Sequence, residues 1–308
     1  MTESAEFDLI ARCAAVHEGT AGPLVEVSIG DDAAVLAMPG RTVWTVDAQV
    51  DHVHFERAWL SAEDMGFRAH AAATSDVYAM GASPVGSLAS YILSPGDSAI
   101  AEDLARGARA SAQLHGAPVI GGNMSRGSEL SITTTVVGTV VTPVLRSGAM
   151  AGDLLLVAGL LGYASLGLRA LRERLDPARY APFIDRWRRP LLPVSAAREL
   201  AHAHAAIDVS DGLSQDLAHV LDAAQVGAIL DADDLVDTDF ARACADAGVS
   251  PLDLVLHGGE DYALIAAAPR ELASFRRFGI VTAERGLRIR HRNGLIEPLQ
   301  PFGHVHRF

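Results

Sequence analysis

Residues 61–81, SAEDMGFRAHAAATSDVYAMG, decide how the first half of this chain folds. Ser61-Ala-Glu-Asp64 has the form of a capping box, in which a hydroxyl and an acid three residues later satisfy each other's backbone amides at a helix start. The alanine-rich run Arg68–Thr74 carries that helix onward, and it stops near Gly81, with Pro84 beyond. Asp76 then falls in its last turns. A carboxylate there opposes the helix dipole. A bound cation would remove the conflict, and so would plain exposure to solvent.

Outward from this helix, strand and helix patterns alternate. Thr42–Asp47 alternates apolar and polar residues as a strand does, and Glu6–Val16 upstream reads as a short helix. Downstream, Ala99–Leu114 reads as a helix, and Glu129–Val141, rich in valine and threonine, as a long strand. Between them Ile120-Gly-Gly-Asn-Met-Ser-Arg126 reads as a glycine turn whose amides could approach a phosphate. The character changes around Thr142–Asp153, where Pro143, Gly148 and Gly152 surround Arg146. We place a domain boundary there, giving domains 1–145 and 146–308. In the second half Tyr163–Arg174, Val194–Ala205 and Asp211–Ala224 read as helices. Leu154–Ala158, Leu252–Leu256 and Tyr262–Ala268 read as strands. The class is α/β or α+β.

The 308 residues carry a formal net charge of −13, and none of them is lysine. That charge argues against an electrostatic grip on nucleic acid or an anionic membrane. Without lysine there is no Walker P-loop, no protein-kinase fold and no Schiff-base chemistry. Cys13 and Cys244 are distant and lack metal-ligand spacing, so they read as free thiols. With no signal-peptide pattern and no apolar span, the expected location is cytoplasmic.

Short acidic motifs punctuate the chain: Gly30-Asp31-Asp32, Val46-Asp47, Ser75-Asp76, Asp208-Val-Ser210-Asp211 and Gly258-Gly-Glu260-Asp261. Carboxylates in that number, with no lysine, suit a site whose positive charge comes from metal. Magnesium takes a few carboxylates plus substrate phosphates, which points to Mg²⁺-dependent phosphoryl transfer. Each motif also has a plainer reading. An Asp-Asp pair is usually a turn, and Asp47 can be a solvated strand edge. Ser210 and Asp211 stand where N-capping residues stand, although capping explains one of them and hardly the whole motif. His52 and His54 share strand spacing without a third ligand nearby, which disfavours zinc. His54, beside Phe55, suits contact with an organic substrate.

Taken in order, Gly30-Asp-Asp-Ala-Ala34, Ser75–Ala82, Ile207-Asp-Val-Ser-Asp-Gly-Leu213 and Gly258-Gly-Glu-Asp-Tyr262 resemble the thiamine-monophosphate kinase family. So do Val53-His-Phe55 and Arg146-Ser-Gly-Ala149 with Gly152-Asp153. The resemblance runs from residue 7 to about 268 and fades in the last forty residues. It implies the two-domain fold shared with aminoimidazole ribonucleotide synthetase. An N-terminal sheet would pair across a homodimer, and a C-terminal α/β domain would complete an ATP cleft. The implied activity is direct transfer of the ATP γ-phosphoryl group to thiamine monophosphate, with several Mg²⁺ ions and no phosphoenzyme. Carried over by position, Asp32, Asp47, Asp76 and Asp211 become metal ligands, supported by Thr45, Asp31 and the backbone of Val46. Gly121, Gly122, Asn123, Arg146 and Ser210 would hold ATP. His54 and Glu260 would contact thiamine monophosphate, with Phe302 as the stacking aromatic in competition with His304 and Phe308.

The chain departs from the family pattern at Asn123, usually an aspartate that ligates metal, at Val46, usually threonine, and at Ala73, often asparagine. These motivate one alternative, a degenerate paralogue that binds without turnover; a second is another enzyme of the superfamily that uses ATP on a different acceptor.

Overall fold

The computed structural model describes residues 3–304, with side chains from residue 8 onward. The chain divides into two compact units, residues 1–77 with 82–141, and residues 78–81 with 142–308.

The first unit contains α1 (Glu3–Val16), β1 (Val25–Val27), β2 (Val35–Leu36), β3 (Arg41–Val50), α2 (Ala62–Ala79), β4 (Ser83–Leu93), α3 (Ala101–His115), β5 (Val119–Arg126) and β6 (Ser131–Val140). Its main sheet runs β3-β6-β4-β5, antiparallel except for the parallel pair β4–β5. The capping box forms as the sequence predicts. The Asp64 amide donates to Ser61 Oγ (3.1 Å), and the Ser61 amide donates to Asp64 Oδ2 (3.2 Å). From Phe67 to Ala79 the helix is buried except at Asp76. Such burial requires small side chains where backbones meet. A Cβ on Gly66 would lie 2.0 Å from the Leu104 carbonyl oxygen, and one on Gly107 1.9 Å from that of Glu63. Backbone contact at these two glycines locks α2 to α3.

The Gly121–Gly122 segment is not a turn. It lies within β5, where Gly122 pairs with Ala89. A Cβ on Gly122 would lie 1.9 Å from the Ala89 carbonyl oxygen, so strand packing is what demands glycine there.

The second unit contains β7 (Leu154–Ala158), α4 (Tyr163–Arg172), α5 (Ala181–Arg188), α6 (Val194–Ala197), β8 (Ala205–Asp208), α7 (Leu213–Ala224), β9 (Gly227–Asp231), α8 (Ala232–Leu235), α9 (Thr238–Asp246), α10 (Pro251–His257), β10 (Leu264–Ala268), β11 (Arg276–Thr282), β12 (Gly286–Arg290) and β13 (Ile296–Pro298). Its sheet order is β13-β12-β9-β11-β7-β10-β8, with only β9–β12 parallel. Leu155, Val157 and Ile265 from the sheet join Leu166, Leu217 and Phe240 from the helices in one core.

Two expectations fail in this unit. Leu252–Leu256 belongs to helix α10, because Pro251 occupies its first turn and Ser250 Oγ caps it by accepting the Asp253 amide (3.2 Å). Four apolar residues among five cannot by themselves distinguish a strand from a buried helix. Val194–Ala205 is α6 followed by a 3₁₀ turn, Arg198–His202, and the chain is already extended at Ala203 before β8 begins.

Candidate active site

In the first unit the acidic residues form two groups. On β3 the side chains of Thr45 and Asp47 share one face and Val46 takes the other, as the period of two requires. Thr45 Oγ1 donates to Asp76 Oδ2 at 2.5 Å, joining the edge strand to the last turns of α2. Asp47 lies on that face one pleat further, about 7 Å along the strand, and its Oδ2 accepts from Gln49 Nε2 (3.4 Å). The Thr45 hydroxyl gives Asp76 a partner at the helix end, where the dipole disfavours it.

The second group borders a cavity of 770 Å³ beside β5, lined by Gly30–Ala34 and Gly121–Asn123. Asp31 Oδ1 accepts the Asp32 amide (2.8 Å), a tight local turn that leaves both carboxylates exposed. Asn123 pairs with Ser90, which pairs with Thr133, and both line the same cavity. Asn123 therefore lies on the sheet face of Trp44 and Val46, opposite Thr45 and Asp47. Among the described residues, no three His, Cys, Asp or Glu side chains form a ready-made metal cage.

His54 sits in the turn after β3, where its Nδ1 accepts the Val50 amide (3.1 Å). That bond places the ring proton on Nε2. The loop is pinned by a network that the sequence reading missed. Arg57 Nε donates to Asp51, while its terminal nitrogens donate to Asp97 Oδ1 (2.5 Å) and Oδ2 (3.0 Å). Both carboxylates are buried. The Arg57 hydrogen bond, helped by the Ser94 bonds and opposed by burial, holds the Asp97 carboxyl below its usual range. Arg57 reaches partners six to forty residues away, which leaves no local pattern to read.

In the second unit the Ser210–Asp211 loop and the Gly258–Tyr262 loop lie side by side. The Glu260 amide donates to the Ser210 carbonyl and the Tyr262 amide to the Val209 carbonyl, each at 2.8 Å. Glu260 and Tyr262 take left-handed backbone angles, φ 67° and 49°, which are uncommon for such residues. Neither Ser210 nor Asp211 caps α7. Asp216, inside the helix, instead reaches back to the loop before it, its Oδ2 accepting the amides of Ser210 (3.0 Å), Asp211 (3.1 Å) and Gly212 (3.0 Å). Burial raises Asp216 to about 6 against the opposing pull of those amides. No side chain caps α7, so the capping explanation of the Ser210-Asp211 pair falls away.

The adjacent acids Glu260 and Asp261 have different surroundings. Asp261 accepts the amides of Gly162 (2.6 Å) and Ala164 (3.0 Å) at the start of α4, and burial pushes it up to about 7. Glu260 accepts from Trp187 Nε1 at 2.8 Å.

Phe302 is two-thirds exposed and meets the His257 ring edge-on. Its amide donates to Ser214 Oγ (3.1 Å), and the His304 amide donates to the Asp211 carbonyl (3.1 Å). The segment 302–304 is thereby laid on the start of α7. Phe308 lies outside the described residues. Arg146 is exposed on a 3₁₀ turn, Arg146–Gly148, that packs against α7 and β8.

The profile described as "AIR synthase related protein, N-terminal domain" matches residues 30–140. A thiamine-monophosphate kinase of Rhodopirellula baltica is 36% identical over 308 residues, covering 92% of each chain. The chain belongs to the thiamine-monophosphate kinase family. Within that family, the crystal structure of the enzyme from Stenotrophomonas maltophilia K279a matches with TM-score 0.80 at 30% identity, over 94% of this chain and 96% of that one. A structure described as AaThiL complexed with AMPPCP and TMP matches with TM-score 0.80 at 27% identity, over 98% and 96%. The fold is accordingly the aminoimidazole ribonucleotide synthetase-like one that the motifs imply.

Proposed function

We propose that this chain transfers the γ-phosphoryl group of ATP to thiamine monophosphate, giving thiamine diphosphate and ADP. The observation that carries this reading is the 36% identity to a kinase of that name across nine-tenths of both chains. The related AaThiL structure, which holds AMPPCP and TMP, supports the substrate pair.

The donor sets are hard oxygens only: Asp47, Asp76 and Thr45 on one sheet face, Asp31, Asp32 and Asn123 by the cavity, and Asp211 in the second unit. A set of carboxylates without a closed cage fits Mg²⁺, which keeps waters and takes phosphate oxygens as its remaining ligands. These residues, with the Val46 carbonyl, would hold Mg²⁺. Bound there, Mg²⁺ would neutralise charge on the ATP oxygens. Arg146 and Ser210 would hold phosphate oxygens, and Gly121 and Gly122 would let the nucleotide approach β5 closely. His54, through its Nε2–H, and the Glu260 carboxylate would bind the acceptor, with Phe302 covering its ring. The acceptor phosphate is already ionised, so no strong general base is required and catalysis rests on alignment and electrostatics.

We also propose a homodimer formed through the open face of the first unit's sheet. Trp44 and Val46 are 60% and 64% exposed, and Leu88, opposite Val46 across Thr135, shares that face. Buried free thiols at Cys13 and Cys244 fit a reducing cytoplasm.

The test is ADP release from Mg²⁺-ATP with and without thiamine monophosphate, with thiamine diphosphate followed by chromatography. Equal amounts of both products support the kinase; saturable binding without product sinks it in favour of the degenerate paralogue. Asn123→Asp separates the two a second way. For an active kinase the change lowers the half-saturating Mg²⁺ concentration by about tenfold, roughly 1.4 kcal/mol, and leaves kcat within about twofold. A large gain in kcat would instead mark a decayed enzyme.

A further inference from the structure

Glu260 stands in an unusual setting for a residue that contacts substrate. Its backbone is left-handed at φ 67°, a conformation that costs a non-glycine residue about 1–2 kcal/mol and that persists only where the surroundings enforce it. Those surroundings are its own amide on Ser210, the Asp261 cap on α4, and Trp187. Trp187 lies in α5 and is 1% exposed, yet its indole N–H reaches Glu260 Oε2 at 2.8 Å. The same carboxylate lines a small cavity with Leu160, Tyr163 and Arg186. One oxygen is thus tied to a buried, nearly immobile donor, which fixes the direction in which the carboxylate presents its charge.

We propose that Trp187 is a positioning residue for acceptor recognition, acting through Glu260 to aim its carboxylate at the cationic ring system of the thiamine phosphate. This rests on the reading of Glu260 as an acceptor contact. Thiamine carries a permanent thiazolium charge and an aminopyrimidine donor, and both are matched by an anionic oxygen held at a fixed angle. An untethered glutamate would have to be ordered on binding, at a cost in affinity for the acceptor alone.

A buried indole N–H needs some acceptor in any case, so the test must separate positioning from packing. Trp187→Phe keeps the ring and removes the donor. It raises KM for thiamine monophosphate about fivefold to tenfold and leaves kcat and KM for ATP within about twofold. Glu260→Ala raises the same KM at least as much. In the double variant, Trp187→Phe adds nothing to Glu260→Ala, the result required if one acts through the other. Additive effects, or a rise in both KM values together, would overturn the inference and leave the Glu260 contact standing. An unchanged KM in Glu260→Ala alone would overturn the contact and the inference with it.

If Trp187→Phe does not fold, the wild-type protein gives the answer through its indole NH resonances. There are three tryptophans, Trp44, Trp59 and Trp187, and Trp44→Phe and Trp59→Phe assign the third signal by exclusion. Saturating thiamine monophosphate shifts the Trp187 resonance and ADP does not. A Trp187 signal indifferent to thiamine monophosphate would overturn the proposal.

Discussion

Asp76 is the residue at which sequence and structure bear on each other most directly. The sequence shows an acid at the wrong end of a helix; the structure gives it a short bond from Thr45 on the edge strand. That bond orders the carboxylate before any ligand arrives. Asp76→Asn should raise the half-saturating Mg²⁺ concentration by about 10- to 100-fold without lowering the thermal midpoint, measured by titrating activity with Mg²⁺ and by a melt. The acids at Asp31, Asp32, Asp47, Asp76, Asp211 and Glu260 were legible because they recur in ordered motifs. Asp216, Trp187 and Arg57 were not. Each acts through a fold-dependent contact, Trp187 with a partner 73 residues away, and none stands in a motif. Asn123 was legible as a departure, but its place on the sheet face opposite Thr45 depends on register, which the sequence does not state.

At the level of elements, capped helices and valine-threonine strands were readable because their signals are local. The Gly121–Gly122 strand and helix α10 were misread because glycine pairs and short apolar runs have more than one structural use. Gly66 and Gly107 carried no signal, yet they set the α2–α3 spacing. Gly107→Ala puts a methyl group against the Glu63 carbonyl and should cost about 3 kcal/mol, read as a lower denaturation midpoint. The same helix pair buries a relay in which the His115 ring bonds Ser111 Oγ (3.1 Å), Ser111 bonds His70 Nδ1 (2.9 Å), and His70 Nε2 bonds the Ala117 carbonyl (2.8 Å). Burial lowers His70 from 6.5 to about 4. The folded protein keeps this ring neutral while the unfolded chain protonates it, so the His70 contribution rises with pH between about 4 and 6.5 and is lost on acidification. His70→Gln should cost about 1–3 kcal/mol at pH 7, and the gap from wild type should narrow by pH 5. Urea midpoints at the two pH values measure this. Asp261, raised to about 7, slopes the opposite way over an overlapping range, but it is common to both proteins and cancels.

For the molecule as a whole, the chain divides into two compact units near residue 142, where the sequence changes character at Pro143, and Tyr78–Gly81 belongs to the second unit, which no local pattern marks. The Met80 carbonyl accepts the Val144 amide (3.0 Å), a long-range pairing that no local pattern announces. The proposed association of copies is hard to read from composition, since exposed Trp44 and Val46 read simply as strand residues. On the proposed homodimer, the wild type sediments as a dimer and Trp44→Glu as a monomer with unchanged circular dichroism; a monomeric wild type would overturn that proposal. The interlocked helix α2 has a consequence for time as well as for space. Amides enclosed by backbone-to-backbone contact open to solvent only when the surrounding unit unfolds, so the segment 67–77 should be among the slowest in the chain to exchange hydrogen for deuterium. Asp76 rides on that segment and Asp31 and Asp32 on an exposed loop. Nucleotide binding should therefore slow exchange around residues 28–34 and leave α2 as it was: one half of the acidic equipment is permanently set, and the other is set on arrival of the ligand.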